Sequence, residues 1–398
     1  MGFHASSCLT GETDSKRAGQ YVGRNLREAF TDHRLSVIIV YATINHDQDA
    51  LLAAIREEVG PGVIITGCSA QGVIGHGVIF EGGFGVGAMG LGGDSLKVAV
   101  AAQHEIEADG MNKGRALAAS LRRQLGAAPN LIFFLYDTLC GSDVNQLLAG
   151  IRQELPVPVI GGAAGQPSGP VATTYQYHDG KSYTRAAVAL GLIGPFNTEF
   201  GVSHGTTPTG IVMTLTKAAG NRVLELDGRP ALDVWRETTG LGEDEPLHQD
   251  HTAALAIGVE RTIIKNGHQQ STYLTRAVFG LEPDTKAIIV PAAIPEGSKL
   301  LFHHRTARVV KEGSLAMGRD LNARLGDKRP WAVLGFECGA RTAPFLGLTD
   351  TLEENKALQE LVGARSPWLT IIPWGEIAPY GDDAAFCNYT YTLAALTQ

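Results

Sequence analysis

The chain has 398 residues, a net charge of −8, 44% hydrophobic and 19% charged residues, a composition that fills a globular core and excludes a disordered chain. The acidic balance, with no Lys/Arg cluster, excludes a nucleic-acid surface, and no apolar run approaches the roughly 18 residues of a membrane helix. Five cysteines at wide spacings, Cys8, Cys68, Cys140, Cys338 and Cys387, make neither a disulfide framework nor a Cys-x-x-Cys metal site, and the first twenty residues carry no secretory signal. A reducing cytoplasm is the expected setting.

In chain order, Ala18, Val22, Leu26 and Phe30 are spaced four apart and predict a helix from about Asp14 to Phe30. The strand Val37 to Tyr41 leads through Asp47 into a second helix that stops at Gly60-Pro61, followed by Val63-Ile-Ile-Thr-Gly-Cys-Ser-Ala-Gln-Gly72. The glycine-dense run Gly82 to Gly93 follows a strand without opening a helix and therefore reads as a close-packed strand and turn, not a phosphate loop. Leu96 to Ala102 is the next strand, and a helix is expected near Gly114 to Leu125. The first pattern then returns: Leu131 to Tyr136, a helix after Asp143, Leu155-Pro156, and Val159-Ile-Gly-Gly-Ala-Ala-Gly165. It returns again as Val333 to Cys338, a helix from Leu352 to Val362 headed by the capping-box spacing Thr351-Leu-Glu-Glu354, Pro367, and Leu369-Thr-Ile-Ile-Pro-Trp-Gly-Glu-Ile377. The repeats lie about 94 and then about 200 residues apart, which predicts an α/β fold with mixed sheets sandwiched by helices, built from repeated strand-helix-strand units. Between the second and third units the strands continue past Ser182 to Leu192 and Phe196 to Ser203, and the pattern breaks at Arg229-Pro230, where two domains are expected to meet (1–230 and 231–398). Leu300 to Val310 reads as strand and Leu315 to Leu325 as helix.

Each repeat ends its second strand in small residues, which lets another group approach the backbone. Gly162 and Gly165 are thus expected to floor a ligand pocket, with Tyr175, Gln176, Tyr177 and His178 on the following strand. Arg341 and Glu376 stand at strand-end tips among small or apolar neighbours. Arg341 can fork onto a ligand carboxylate or pair with Glu376 as a structural bridge, and Asn388 and Thr390 lie on one face of the last strand. Cys68 sits at a tip, where it reads either as a thiolate ligand or as a buried apolar residue. Cys140 has the same two readings. The His248-Gln-Asp-His251 cluster and the His303-His304 pair read as solvated faces.

Taken together, Gly162-Ala-Ala-Gly165, Tyr175-Gln-Tyr-His-Asp-Gly180, Ser203-His-Gly205, Pro208, Gly210, Gly220-Asn221, Glu225-Leu-Asp-Gly228 and Pro230-Ala231 resemble the N-terminal half of the FIST sensory domains. Cys338-Gly-Ala-Arg341, Gly375-Glu-Ile377, Pro379 and Asn388-Tyr-Thr390 resemble the C-terminal half. Gly72-Val-Ile74 departs from the Gly-Glu-Ile frequent in that family. The resemblance implies a bacterial sensor of a small ligand that signals through a separate histidine kinase, diguanylate cyclase or phosphodiesterase, with a homodimer left open. Its haem-binding subset implies haem b and nitric oxide sensing. On that reading His178 is the first candidate for the iron ligand and His204 the second, with Tyr177 and Arg341 beside the cofactor; His178 also reads as an ordinary turn residue and His204 as a structural one. Two other readings stay open: an iron-free sensor of an amino acid or similar metabolite held by Arg341 and backbone amides, and a cyclic-amide hydrolase using Cys68 or Ser69.

Overall fold

The computed structural model describes residues 2–167, 172–242, 245–248, 252–253, 255–265, 268–381 and 383–398. In the first unit, β1 (His4–Thr10), helix α1 (Ser15–Ala29), β2 (Leu35–Thr43), helix α2 (Gln48–Val59), β3 (Ile64–Ala70), β4 (Gly72–Gly75), β5 (Val78–Glu81) and β6 (Val86–Gly92) follow one another. The second unit repeats the order with β7 (Lys97–His104), α3 (Gly110–Leu125), β8 (Leu131–Tyr136), α4 (Val144–Glu154), β9 (Val159–Ala163), β10 (Gln176–His178), β11 (Lys181–Tyr183) and β12 (Ala186–Ile193). The third begins with β13 (Asn197–Ser203). It resumes after an insert with the helix Ala307–Leu325, the strand Ala332–Glu337, the helix Leu348–Gly363, and the strands Trp368–Ile372, Glu376–Tyr380, Asp383–Cys387 and Tyr391–Thr397. Asp14 and Asp47 cap α1 and α2 by accepting from Arg17 N and Ala50 N, the arrangement that satisfies otherwise orphaned amides.

Each unit pairs its two main strands in parallel across a helical crossover: β2 with β3, β8 with β9, and Ala332–Glu337 with Trp368–Ile372. The terminal hairpin of each unit leaves its own sheet. Hairpin β4–β5 pairs with Trp368–Ile372 of the third unit, β10–β11 with β3 of the first, and Glu376–Cys387 with β9 of the second. Three six-stranded mixed sheets result, each completed by a neighbour, so the three units interlock in a cycle.

Strand alternation explains the layers. On β2, Ile38, Val40 and Ala42 face α1 and α2, whereas Val37, Ile39 and Tyr41 face a core shared with Phe133, Leu135, Leu334, Phe336 and Ile371 of the other two sheets. Helices therefore cover the outer faces, and the inner faces of all three sheets meet at the centre. The insert spans strands from Thr207–Pro208 to Lys299–His304. It forms a nine-stranded sheet around the helix Ala231–Thr239, whose buried Trp235 packs edge-on against Phe302.

Two expected boundaries differ. Val309 and Val310 belong to a helix, not a strand, because Thr306 caps it by accepting from Val309 N. The last helix starts at Leu348, so Thr351 lies inside it and bonds Gly347 O at 2.8 Å instead of capping.

Candidate functional site

The ends of the main strands turn towards the seam between the insert and the three-sheet core. Strand Ala332–Glu337 delivers Cys338, Gly339 and Ala340; β3 delivers Gln71; the end of strand Trp368–Ile372 delivers Trp374; and the insert delivers Ala277, Val278 and Phe279. With Thr252, Pro344 and Asn388 these line a cavity of about 340 Å³ that is open to solvent. Gln71 is its brace: Nε2 donates to Gly339 O at 3.1 Å and Glu81 Oε1 at 2.7 Å, while Trp374 Nε1 donates to Gln71 Oε1 at 3.1 Å. Asn388 ties the insert to the core, accepting from Ala277 N at 3.1 Å and donating to Trp374 O at 3.2 Å. No charged side chain is among the lining residues described.

The glycine tips are filled by protein. A Cβ on Gly162 would stand 2.6 Å from Gly375 O, and one on Gly165 3.1 Å from Gln71 N; Ser69 Oγ donates to Gly165 O at 2.9 Å. The small residues that the sequence places at a pocket floor are the points where one unit's backbone presses on the next. Gly165 nevertheless abuts the cavity, through Gln71 and Trp374.

Arg341 and Glu376 are both sealed from solvent, at 0% and 1% exposure, and they anchor separate clusters. Arg341 pairs with Glu354 at 2.8 Å and Glu337 at 3.5 Å, and donates to Ser314 Oγ at 2.8 Å. Two carboxyls thus share one guanidinium, with Asn355 donating to Glu337 at 2.8 Å and Tyr391 donating to Asn355 at 2.6 Å. Burial, reinforced by the charge of Glu354, pushes the Glu337 carboxyl up to about 8, because the charged form loses its water. Glu376 Oε2 accepts from Thr390 N at 3.1 Å and Thr390 Oγ1 at 2.6 Å. Burial pushes this carboxyl up to about 8 as well, opposed by Thr390 and by the neighbouring Cys338 thiol.

Residues 36–229 match the FIST N domain and residues 231–379 the FIST C domain. The chain belongs to the FIST family. FIST domains are sensory, ligand-binding signalling domains that work with signalling partners. An uncharacterized protein of Mycobacterium tuberculosis is 26% identical over 388 residues, 96% of each chain. An uncharacterized protein of Mycobacterium bovis is 28% identical over 254 residues, 63% of each chain. Among solved structures, a cyanuric acid hydrolase from A. caulinodans aligns over 99% of each chain at a TM-score of 0.40 and 8% identity. Phosphoribosylformylglycinamidine synthase II from Thermotoga maritima aligns at a TM-score of 0.22 and 9% identity, over 99% of this chain and 71% of that one. Likeness at these scores does not bear on the chemistry of this FIST chain.

The structure sets the FIST residues named for haem in separate surroundings. Both ring nitrogens of His204 are engaged, Nδ1 with Thr275 Oγ1 and Nε2 with Tyr380 OH, each at 3.2 Å, and burial pushes its pKa down to about 4, keeping the ring neutral. His178 stands on a three-residue strand opposite Thr66 and Lys181, beside Asp179 and His104, and is not among the residues that line the cavity. Tyr177 is buried on the helix side, donating to Gln48 Oε1, and Arg341 is spent on two carboxylates. Cys68 lies in the central core. Cys140 is partly buried and donates to Asp137 O at 3.3 Å. His303 bonds Thr206 Oγ1 at 3.0 Å, and His251 lies outside the described residues. Among the described residues no group of three His, Cys, Asp or Glu side chains is placed to hold a metal, and no helix is long and apolar enough to cross a membrane.

The seam residues Gln71, Trp374 and Ala277–Phe279 were not legible as site residues, since their role comes from pairing between distant units. Glu337 carries the one usable signal, a carboxyl ending the apolar strand Ala-Val-Leu-Gly-Phe-Glu.

Proposed function

We propose that this FIST chain senses a small, uncharged, hydrogen-bonding metabolite held in the 340 Å³ cavity between insert and core. The observation that carries the reading is the wall itself: residues from the first unit, the third unit and the insert converge on one cavity whose described lining residues carry no charge. Its rim includes Phe279, an aromatic left 49% exposed, which supports a ring-sized apolar ligand edge. An amino acid is disfavoured because the guanidinium expected to hold its carboxylate, Arg341, is neutralised inside the protein. Since ligand and protein meet across the seam, a ligand that binds better with the insert drawn onto the core shifts the insert's position. The output passes to a separate histidine kinase or cyclic-di-GMP enzyme, and the protein works in the cytoplasm.

A thermal-shift screen tests this. Neutral heterocycles and amides are expected to raise Tm, with about 2.7 kcal/mol of stabilisation at a hundredfold excess over Kd. Stabilisation by free amino acids alone, or a haem Soret band lost in His178→Ala, contradicts it.

A further inference from the structure

Arg261, Leu274 and Arg276 share one face of the insert hairpin, by alternation along its strands and by the register that sets Arg261 opposite Thr272 and Arg276 opposite Ile257. That face meets the strand Asp383–Cys387: Arg261 donates to Asp383 Oδ2 at 2.9 Å and Arg276 to Phe386 O. Between the hairpin, this strand and helix α4 lies a second cavity, of about 220 Å³, with an apolar wall of Leu148, Val157, Val159, Leu274, Ala384 and Ala385. On its polar side Arg152 of α4 also pairs with Asp383, so two guanidiniums share one carboxylate. Their side chains are 56% and 30% exposed, within reach of a ligand. Arg276, by contrast, is 4% exposed; its Nε has no hydrogen-bond partner, and its bonds go to the carbonyls of Thr275 and Phe386. Among the described residues no carboxylate pairs with it. Asp143, at the head of α4, is committed to the cap, accepting from Asn145 N at 2.9 Å. The described charge on this side of the insert is therefore unbalanced towards the positive, and a cation taken out of water without a counter-charge is costly.

We propose that this cavity is a second ligand site, which binds a small organic carboxylate with its charged end at Arg152 and Arg261 and its apolar part against Leu148, Leu274 and Ala385. The inference stands apart from the reading of the 340 Å³ cavity, with which the site has no described lining residue in common. A guanidinium carries five N–H donors in a planar fork, and the bond from Arg261 to Asp383 uses one of them. A ligand carboxylate supplies the second negative charge that the two arginines lack, through charge-assisted hydrogen bonds. Arg276 adds attraction from behind the wall, where the low dielectric strengthens it. The size suits a small molecule, since 220 Å³ is below the roughly 300 Å³ at which drug-sized pockets begin. The apolar wall selects a carboxylate with a hydrocarbon part over a bare, strongly hydrated anion. Arg152 belongs to the second unit, Arg261 to the insert and Asp383 to the third unit, so a ligand held by them fastens the insert to the core.

The test is isothermal titration calorimetry of the full native chain with benzoate and hexanoate, and with inorganic phosphate as the bare anion, repeated on Arg261→Gln. Both carboxylates are expected to bind the native chain. Arg261→Gln is expected to weaken them about tenfold to a hundredfold, the loss of one charge-assisted pair, with unchanged circular dichroism. Should that variant fail to fold, Arg152→Gln, at the more exposed side chain, carries the same comparison. Benzoate is also expected to slow hydrogen exchange in α4 and the insert hairpin, and not in the segment 338–344 that walls the other cavity. No binding of either carboxylate, or equal binding by native chain and variant, overturns the site. Phosphate binding as tight as benzoate overturns the organic carboxylate and marks an adventitious ion only. Protection by benzoate confined to 338–344 overturns this site and the uncharged-ligand reading together, whereas failure of the carboxylates in a chain still stabilised by neutral metabolites overturns this site alone.

Discussion

Glu337 and Glu376 each leave a strand end directly into the interior, and burial raises both from the ordinary 4.5 to about 8. The folded chain therefore binds more protons than the unfolded chain between those values. Their contribution to stability is complete below about 4.5 and is lost as the pH rises through about 8. Tm measured by circular dichroism is expected to fall from pH 6 to pH 9, and Glu337→Gln to remove part of that fall. Arg341 is the counter-charge of the first cluster. Arg341→Met leaves Glu337 and Glu354 buried without it and should cost about 3–5 kcal/mol in urea denaturation, a loss that a surface arginine contacting a ligand would not show. The sequence marks Arg341 and Glu376 as unusual but cannot say that they are sealed. Exposure at a strand end depends on what more distant parts of the chain lay over it, here the helix Leu348–Gly363 over Arg341 and Thr390 over Glu376.

At the scale of the element, the strand-helix-strand repeat was readable because its determinants are local: short, nearly continuous apolar strands, Asp caps, and Gly60-Pro61 as a stop. The tip glycines were readable as close approaches but not by what approaches. Gly67 and Gly161 hold φ of +147° and +159°, and a Cβ on either would lie 1.8 Å from the carbonyl oxygen of Val40 or Phe134 on the parallel neighbour. Gly161→Ala is expected to destabilise by about 3 kcal/mol or more. Gly83→Ala, with nothing within 4 Å of the added carbon, should stay within about 0.5 kcal/mol. Equal losses for the two in thermal denaturation would contradict the assigned tight approach. The strand expected through Val310 became a helix because one hydroxyl, Thr306, satisfies its first free amide, a local signal outweighed in the sequence by its β-branched residues.

Across the whole molecule, the exchange of hairpins makes each sheet depend on two units, so the three are expected to unfold together. Val73→Asp, in the first unit's hairpin but packed in the shared core, should lower the single transition reported by tryptophan fluorescence and by circular dichroism alike; separate transitions would contradict the interlock. That exchange is also why the seam escaped the sequence: Gln71 and Gly339 stand 268 residues apart, and no periodicity links them. The most direct measurement of the central claim is the thermal shift given by neutral screening compounds to the native chain and to Ala277→Leu, which fills the cavity from the insert side. Stabilisation of the native chain that disappears in a folded Ala277→Leu is the predicted result; equal stabilisation of both places the ligand elsewhere and contradicts the account.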